Sequence, residues 1–311
     1  MQIYSNVLEA IGNTPIIRLN RITKGVDAEV VVKFEAVNIG GSIKSRTALG
    51  MIEKAEREGK LKPGSVIVEA TTGNQGIGIA MIAAVKGYKA IIIMPEHMGK
   101  ERRKIVKAYG AEVILTPTLE DMEKTVWACR NKAFELEASD PKYVYLKQFD
   151  NAGNPDIHRR TTAAEILRQT DGRLDAFVST IGTGGTLTGI GEILKAAIPG
   201  IKVYGVEPEA AAQEGSGKKG LHKQQGIGDA QNTKILNRGI VDGWLSVTDD
   251  QAYSMARRLA REEGIFAGIS SGTGVHAAVE VAKRLPAGGR VLTILPDTGE
   301  RYLEDELWAA L

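Results

Sequence analysis

The chain has 311 residues, with 40 basic and 38 acidic side chains, a net charge of +2 and 43% hydrophobic residues. That length can bury a sizeable core and suffices for two domains, and the near-balance of charge calls for neither a nucleic-acid nor a membrane partner. The single cysteine, Cys129, excludes a disulfide framework within the chain, reads as a small core residue, and makes a cytoplasmic protein the expectation.

Short apolar runs alternate with helical patterns from end to end. The predicted order begins with strand Val30–Phe34, helix Arg46–Glu58, strand Ser65–Val68 and helix Ile77–Lys86. Strand Ala90–Met94, helix Lys100–Tyr109, strand Glu112–Thr116 and helices Leu119–Ala138 and Asp156–Arg168 follow. The remainder reads as strand Ala176–Ser179, helix Thr186–Ala197, strands Lys202–Glu207 and Leu245–Thr248, helices Asp249–Glu263 and Gly274–Arg284, and strand Arg290–Leu295. Such alternation predicts an α/β fold, with mostly parallel sheets covered on both faces. Its two βαβ runs, around 65–116 and 175–295, predict two Rossmann-like halves. Pro208–Arg238 is rich in Gly, Lys and Gln without periodicity and reads as a long functional loop. Glu101-Arg102-Arg103-Lys104 reads as a solvated helix face. The four histidines are scattered without ligand spacing, so no metal site is expected; no apolar run has membrane-spanning length, and the amino terminus lacks a signal-peptide pattern.

Three segments carry chemistry. In Asn38-Ile39-Gly40-Gly41-Ser42-Ile43-Lys44, a lysine stands at the mouth of a helix among small residues. The positive end of the helix dipole favours its neutral amine, the form that attacks a carbonyl. Lys33, the nearest rival, lies inside a strand run without such neighbours. Gly182-Thr183-Gly184-Gly185-Thr186 joins a strand end to a helix start, where backbone N–H groups and hydroxyls suit one phosphate. It is neither a Walker loop nor a G-x-G-x-x-G fingerprint, which disfavours ATP and NAD. Glu69-Ala70-Thr71-Thr72-Gly73-Asn74-Gln75-Gly76 occupies a second strand-to-helix junction, with hydroxyls, an amide and N-terminal N–H groups that suit a carboxylate. Each segment also has a plainer reading, as a solvated lysine, a tight turn or an N-cap. A reactive amine, a one-phosphate cradle and a carboxylate cradle together describe a pyridoxal 5'-phosphate enzyme acting on an amino acid.

These motifs, in this order, resemble the cysteine synthase and cystathionine β-synthase branch of the fold-type II pyridoxal phosphate enzymes. The likeness runs from Ile11-Gly12-Asn13-Thr14-Pro15 through Gly41-Ser42-Ile43-Lys44 and Thr72-Gly73-Asn74 to Gln148-Phe149-Asp150-Asn151. It continues through Gly182–Thr186, Gly226-Ile227-Gly228 and Gly268-Ile269-Ser270-Ser271-Gly272, and closes on Leu295-Pro296-Asp297-Thr298-Gly299-Glu300-Arg301-Tyr302-Leu303. The resemblance implies a larger cofactor-binding domain (1–38 and 148–311), a smaller mobile domain (39–147), a cofactor in the cleft between them, and a homodimer. It implies that Lys44 holds the cofactor as a Schiff base and then serves as base and acid. It gives Gly182, Thr183, Gly184, Gly185 and Thr186 the phosphate and Asn74 the ring hydroxyl oxygen. Ser270 takes the pyridine nitrogen, with Ser271 the alternative. Thr71, Thr72, Gly73 and Gln148 take the substrate carboxylate, Gln75 contacts the second substrate, and Gly228 approaches the reacting centre. A neutral serine at the ring nitrogen favours β-replacement through an aminoacrylate over transamination.

The implied reaction is cysteine synthesis from O-acetylserine and sulfide. The alternative is lanthionine or cystathionine formation from cysteine or serine, with sulfide release; a non-catalytic binding protein is the reading from another class. The chain departs from the family pattern at Ile39, Ser45, Thr72, Gln75 and Asp297, the last being more like the cystathionine-forming branch.

Overall fold

The structure is a computed structural model that describes residues 3–97, 99–120, 122–228 and 233–308. Residue 121 of the expected helix Leu119–Ala138 and residues 229–232 of the expected long loop lie outside the described residues. The chain divides into two compact units: residues up to Ile11 with Asn38–Asn154, and Gly12–Val37 with Pro155–Leu311.

In chain order the strands are β1 (Ile16–Arg18), β2 (Glu29–Phe34), β3 (Val66–Ala70), β4 (Lys89–Pro95), β5 (Glu112–Thr116), β6 (Tyr143–Tyr145), β7 (Ala176–Thr180), β8 (Lys202–Pro208), β9 (Gly243–Val247) and β10 (Arg290–Leu295). The helices are α1 (Lys44–Arg57), α2 (Asn74–Lys86), α3 (Lys100–Ala108), α4 (Met122–Ser139), α5 (Gly153–Ile157), α6 (Ala163–Thr170), α7 (Gly185–Ala197), α8 (Gln213–Ser216), α9 (Asp249–Glu263) and α10 (Ile269–Ala282). A π-helical turn, His158–Thr162, joins α5 to α6 inside the expected single helix.

The first unit holds a four-stranded sheet in the order β5-β4-β3-β6, parallel throughout. Ile67 and Ile92 pack with Met51, Ile52, Ile79 and Ile82 of α1 and α2, while Val66, Val68 and Ala70 pack with Cys129 and Ala133 of α4. Both faces of β3 are thus covered, as a parallel sheet requires. The second unit holds a six-stranded sheet in the order β1-β2-β10-β7-β8-β9, parallel except for β1 against β2. Its core gathers Val30, Val32, Val178, Val206, Val291 and Leu295 against α9 and α10. Helix α9 starts in a capping box between Thr248 and Gln251 and stops at left-handed Gly264.

Strand order reverses between β3 and β6 in one sheet and between β7 and β10 in the other. Loops leaving the carboxyl ends of strands at such a reversal are where open α/β sheets take ligands. Thr71 follows β3 and Gln148 lies just beyond β6; Gly182 follows β7 and Asp297 follows β10. Among the described residues no helix is long and apolar enough to cross a membrane.

Candidate active site

Lys44 is the first residue of α1, and its side chain is half-exposed. The turn before it needs glycine: Gly40 and Gly41 both have positive φ, and a Cβ on Gly40 would lie 2.7 Å from Ser45 Oγ. The Ser42 hydroxyl accepts from the Lys44 N–H at 3.3 Å, and the Ser45 hydroxyl donates to the Ile39 carbonyl. Gly78 of α2 lets the start of α1 come close, since a Cβ there would lie 2.9 Å from the Lys44 carbonyl oxygen. The rival, Lys33, is wholly buried in β2. Its Nζ donates to Thr14 O at 2.6 Å and Gln169 Oε1 at 2.8 Å and pairs with Glu165 at 2.7 Å. Three acceptors hold it as a structural cation.

The loop after β3 turns at Gly73, whose φ of 153° is open to glycine alone, and the Thr71 hydroxyl accepts from the Gly73 N–H at 3.1 Å. No side chain caps α2, so Thr71 and Thr72 are not spent as N-caps. Asn74 opens the helix. Gln75 beside it is 1% exposed, and neither its amide nitrogen nor its amide oxygen has a hydrogen-bond partner among the described residues. Buried amides are normally paired. Gln148 is brought to the same place: its Nε2 donates to the Ala70 carbonyl at 2.9 Å, and Asn154 holds its backbone carbonyl at 2.9 Å.

Arg102 does not fit the solvated face read for its helix. It is 5% exposed and lies against the loop; a Cβ on Gly73 would fall 2.3 Å from its Cδ. Periodicity placed the arginine on a helix, but only the packing of α3 beside α2 turns it inward.

In the second unit, Gly184 has φ 82° and caps α7, and Leu236 packs against it so closely that a Cβ would lie 2.9 Å from Leu236 Cβ. Gly182 lies beneath the Gly226 carbonyl, 2.5 Å from where its Cβ would be, and Gly228 N–H donates to Ile181 O at 2.8 Å. The Gly226–Gly228 segment therefore rests on the Gly182–Thr186 loop. The Thr233 hydroxyl donates to Thr183 O at 2.5 Å, fixing the loop from another side. Thr186 Oγ1 lies 3.3 Å from Nε2 of buried His158. The first N–H groups of a helix have no intrahelical acceptor, so the start of α7 is disposed to receive an anion.

Helix α10 begins at Ile269 with Gly268 as its N-cap, five residues earlier than expected, so neither Ser270 nor Ser271 is a cap. Ser270 is 5% exposed; Ser271 is fully buried, and its hydroxyl has no partner among the described residues. One turn on, a Cβ on Gly274 would lie 2.8 Å from Thr293 Oγ1, another buried hydroxyl without a partner among the described residues, and 3.7 Å from Thr180 Cγ2. The serines thus stand at the carboxyl ends of β7 and β10, the same edge that carries Gly182–Thr186.

Two groups escaped the sequence reading. His222 abuts Gly228, whose Cβ would lie 2.4 Å from Nε2, and its Nδ1 accepts from the Gln224 N–H at 3.1 Å. Burial pushes His222 below the usual histidine range, against the charge of Asp249. The other is Glu69, wholly buried at the end of β3. Both lie in segments that the sequence marks, the Glu69–Gly76 junction and the Pro208–Arg238 loop, but nothing in those runs assigns either of them a role.

The donor types fit pyridoxal phosphate: a lysine at the head of α1, a glycine-lined helix start for a phosphate, and, at the start of α10, the neutral hydroxyls of Ser270 and Ser271, of which Ser271 has no partner among the described residues. Comparison with known proteins points the same way. Residues 7–297 match the family model described as pyridoxal-phosphate dependent enzyme. The chain is 48% identical to a cysteine synthase of Staphylococcus aureus, over 98% of its own length and 97% of that protein's. Its structure is similar to that of O-ureido-L-serine synthase, with TM-score 0.92 and 41% identity, covering 100% of this chain and 96% of the other. It is equally similar to a hydrogen sulfide-producing enzyme from Fusobacterium nucleatum, with TM-score 0.92, 41% identity, and coverage of 97% and 100%.

Proposed function

Because this chain belongs to the pyridoxal-phosphate dependent enzymes, we propose that it catalyses β-replacement on a serine-type amino acid, forming cysteine and acetate from O-acetylserine and sulfide. The observation that carries this reading is the placement of Lys44, the first residue of α1, after the Gly40-Gly41 turn and close against Gly78 of α2; Lys33 is instead buried within β2. Lys44, Asn74, Gly182, Thr183, Gly184, Gly185, Thr186 and Ser270 would hold the cofactor.

Bound pyridoxal phosphate supplies an electron sink for the substrate α-carbon. Lys44 Nζ takes the α-proton and keeps it for return to the product. Thr71, Thr72, Gly73 and Gln148 bind the substrate carboxylate and set the α-carbon before that lysine. Ser270 offers the ring nitrogen a neutral hydroxyl, which leaves the sink weak and favours loss of a β-substituent over prolonged carbanion chemistry. Its residual exposure supports it over Ser271, the alternative partner. Gly228, resting on the Gly182–Thr186 loop, borders the path of the incoming nucleophile. Movement of 39–147 on carboxylate binding would exclude water during the replacement.

A second reading is favoured by Gln75. Its buried, unpartnered amide suits an acceptor richer in polar groups than sulfide, which supports lanthionine or cystathionine formation from cysteine or serine with release of sulfide. A matrix of donors against acceptors on purified protein separates the two. Cysteine formed fastest from O-acetylserine and sulfide bears out the first; faster thioether formation overturns it in favour of the second. Borohydride should fix the cofactor onto Lys44, and a label mapped to another lysine overturns the site. A cytoplasmic homodimer is the accompanying expectation, checked by sedimentation.

A further inference from the structure

Glu69 is the last residue but one of β3, two before Thr71, and is 0% exposed. Alternation along the strand puts it on the face of Ile67, which packs against α1 and α2, the helices that begin at Lys44 and Asn74. Glu69 Oε1 accepts from the Ala70 N–H at 3.2 Å, and the Gln148 backbone N–H acts on the carboxyl from outside hydrogen-bond geometry, so that Oε2 has no hydrogen-bond partner among the described residues. Gln148 is hooked to the same residue through the Ala70 carbonyl at 2.9 Å. The charged and titratable groups that act on Glu69 are Lys44 of α1 and, from α4 and β6, Arg130 and Tyr145, whose helix and strand pack on the opposite face of the sheet. Arg130 also pairs with Asp150 at 3.5 Å and lies over the Trp127 and Phe149 rings.

A wholly buried carboxyl oxygen without a donor is disfavoured as an anion. An ionised Glu69 would also place a negative charge directly behind the loop read as the seat of the substrate carboxylate, and like charges repel strongly where water is excluded. We propose that Glu69 is a positioning residue that must carry its proton for the Thr71–Gln75 loop to accept a carboxylate: a neutral acid at rest, and a repelling charge once ionised.

Burial pushes its carboxyl up to about 8, against the pull of the Gln148 and Ala70 N–H groups and of the Arg130 and Lys44 charges. Below that value the proton is present and the loop is receptive. As pH rises through it, the anion accumulates and substrate affinity falls. The inference rests on the loop being the carboxylate site, and its test separates the two ideas.

The test uses holoenzyme, wild type and Glu69→Gln, with O-acetylserine and sulfide from about pH 7 to pH 9.5. The KM for O-acetylserine should rise with pH in the wild type roughly tenfold more than in the variant, a coupling of one pKa unit. The kcat profiles should stay parallel, and the substrate's own amine titrates equally in both proteins. Infrared difference spectra of the wild-type holoenzyme should show a protonated carboxyl band at pH 7 that is lost through about pH 8, and the variant should lack it. Equal KM profiles in the two proteins, or no such band in the wild type, overturn the proposal. If the variant does not fold, the wild-type band and the wild-type KM inflection decide. If O-acetylserine is not a substrate the proposed reaction falls, yet the infrared band still judges Glu69.

Discussion

Gly78→Ala tests whether the approach of α2 to α1 sets the position of Lys44. The new Cβ would lie 2.9 Å from the Lys44 carbonyl oxygen and 3.1 Å from its carbonyl carbon and from Ala48 Cβ. Ordinary contact begins at 3.4 Å, so the head of α1 must retreat by about 0.5 Å. Alanine in place of glycine inside a helix contributes about 1 kcal/mol, and overpacking a tight interface costs about 1–3 kcal/mol. Net destabilisation is therefore about 0–2 kcal/mol, a fall of a few degrees in the unfolding midpoint. A reacting group displaced by a fraction of an ångström loses far more in rate, roughly tenfold to a hundredfold. Differential scanning calorimetry and steady-state turnover read the two effects separately. Normal kcat together with a raised Tm would refute the reasoning, because the helix would have gained alanine without moving the lysine.

The two lysines should behave oppositely. Lys33→Met strands Glu165 in the core and should cost about 3–5 kcal/mol in denaturant unfolding, whereas Lys44→Ala should fold normally and lose turnover by several orders of magnitude. Ser270→Asp should slow β-replacement more than Ser270→Ala, whose effect should be about 1 kcal/mol; if only Ser271 variants behave so, the ring nitrogen belongs to Ser271. Gln75→Thr should change the preference for sulfide over an amino-acid thiol while leaving release of the donor's β-substituent nearly unchanged, as read by stopped-flow absorbance. His222 has its folded pKa depressed by burial, so the unfolded chain binds the proton first and stability is lost as pH falls below about 6.5. His222→Gln should flatten that limb of a Tm-against-pH curve, and an unchanged limb counts against the assignment.

Much of this was legible because parallel strands announce themselves. β4, β5 and β10 are apolar runs bounded by turn residues, and their limits fell within a residue of those expected. β1 and β6 escaped notice: each is three residues long, too short for a period to show, and each depends on a neighbour that sequence alone does not identify. The α10 start was misplaced because Ser270-Ser271-Gly272 looks like a cap and turn. Gly272 instead meets Ala252 O and Ala256 of α9, where a Cβ would collide, so the glycine serves helix packing. The Gly- and hydroxyl-rich loops were visible as composition. Arg102 and His158 were not, because their contacts with Gly73 and Thr186 join residues distant along the chain; His222 and Glu69 were not, because burial rather than sequence spacing gives them their setting.

The pairing of β2 with β10 has a bearing on how the chain is made. Glu29 lies opposite Arg290, and the two side chains are hydrogen-bonded across 261 residues of sequence. At ordinary synthesis rates β2 waits on the order of 15–50 s for that partner. Meanwhile the parallel sheet of 38–154 has emerged whole and can close on local contacts. The second unit, whose centre is a strand pair drawn from opposite ends of the chain, completes last and bears the larger loop-closure entropy. Its apolar β2 edge, Val30-Val31-Val32, is therefore the surface that a nascent chain leaves open longest, and the place where a slow ribosome or a truncated message would expose it to aggregation.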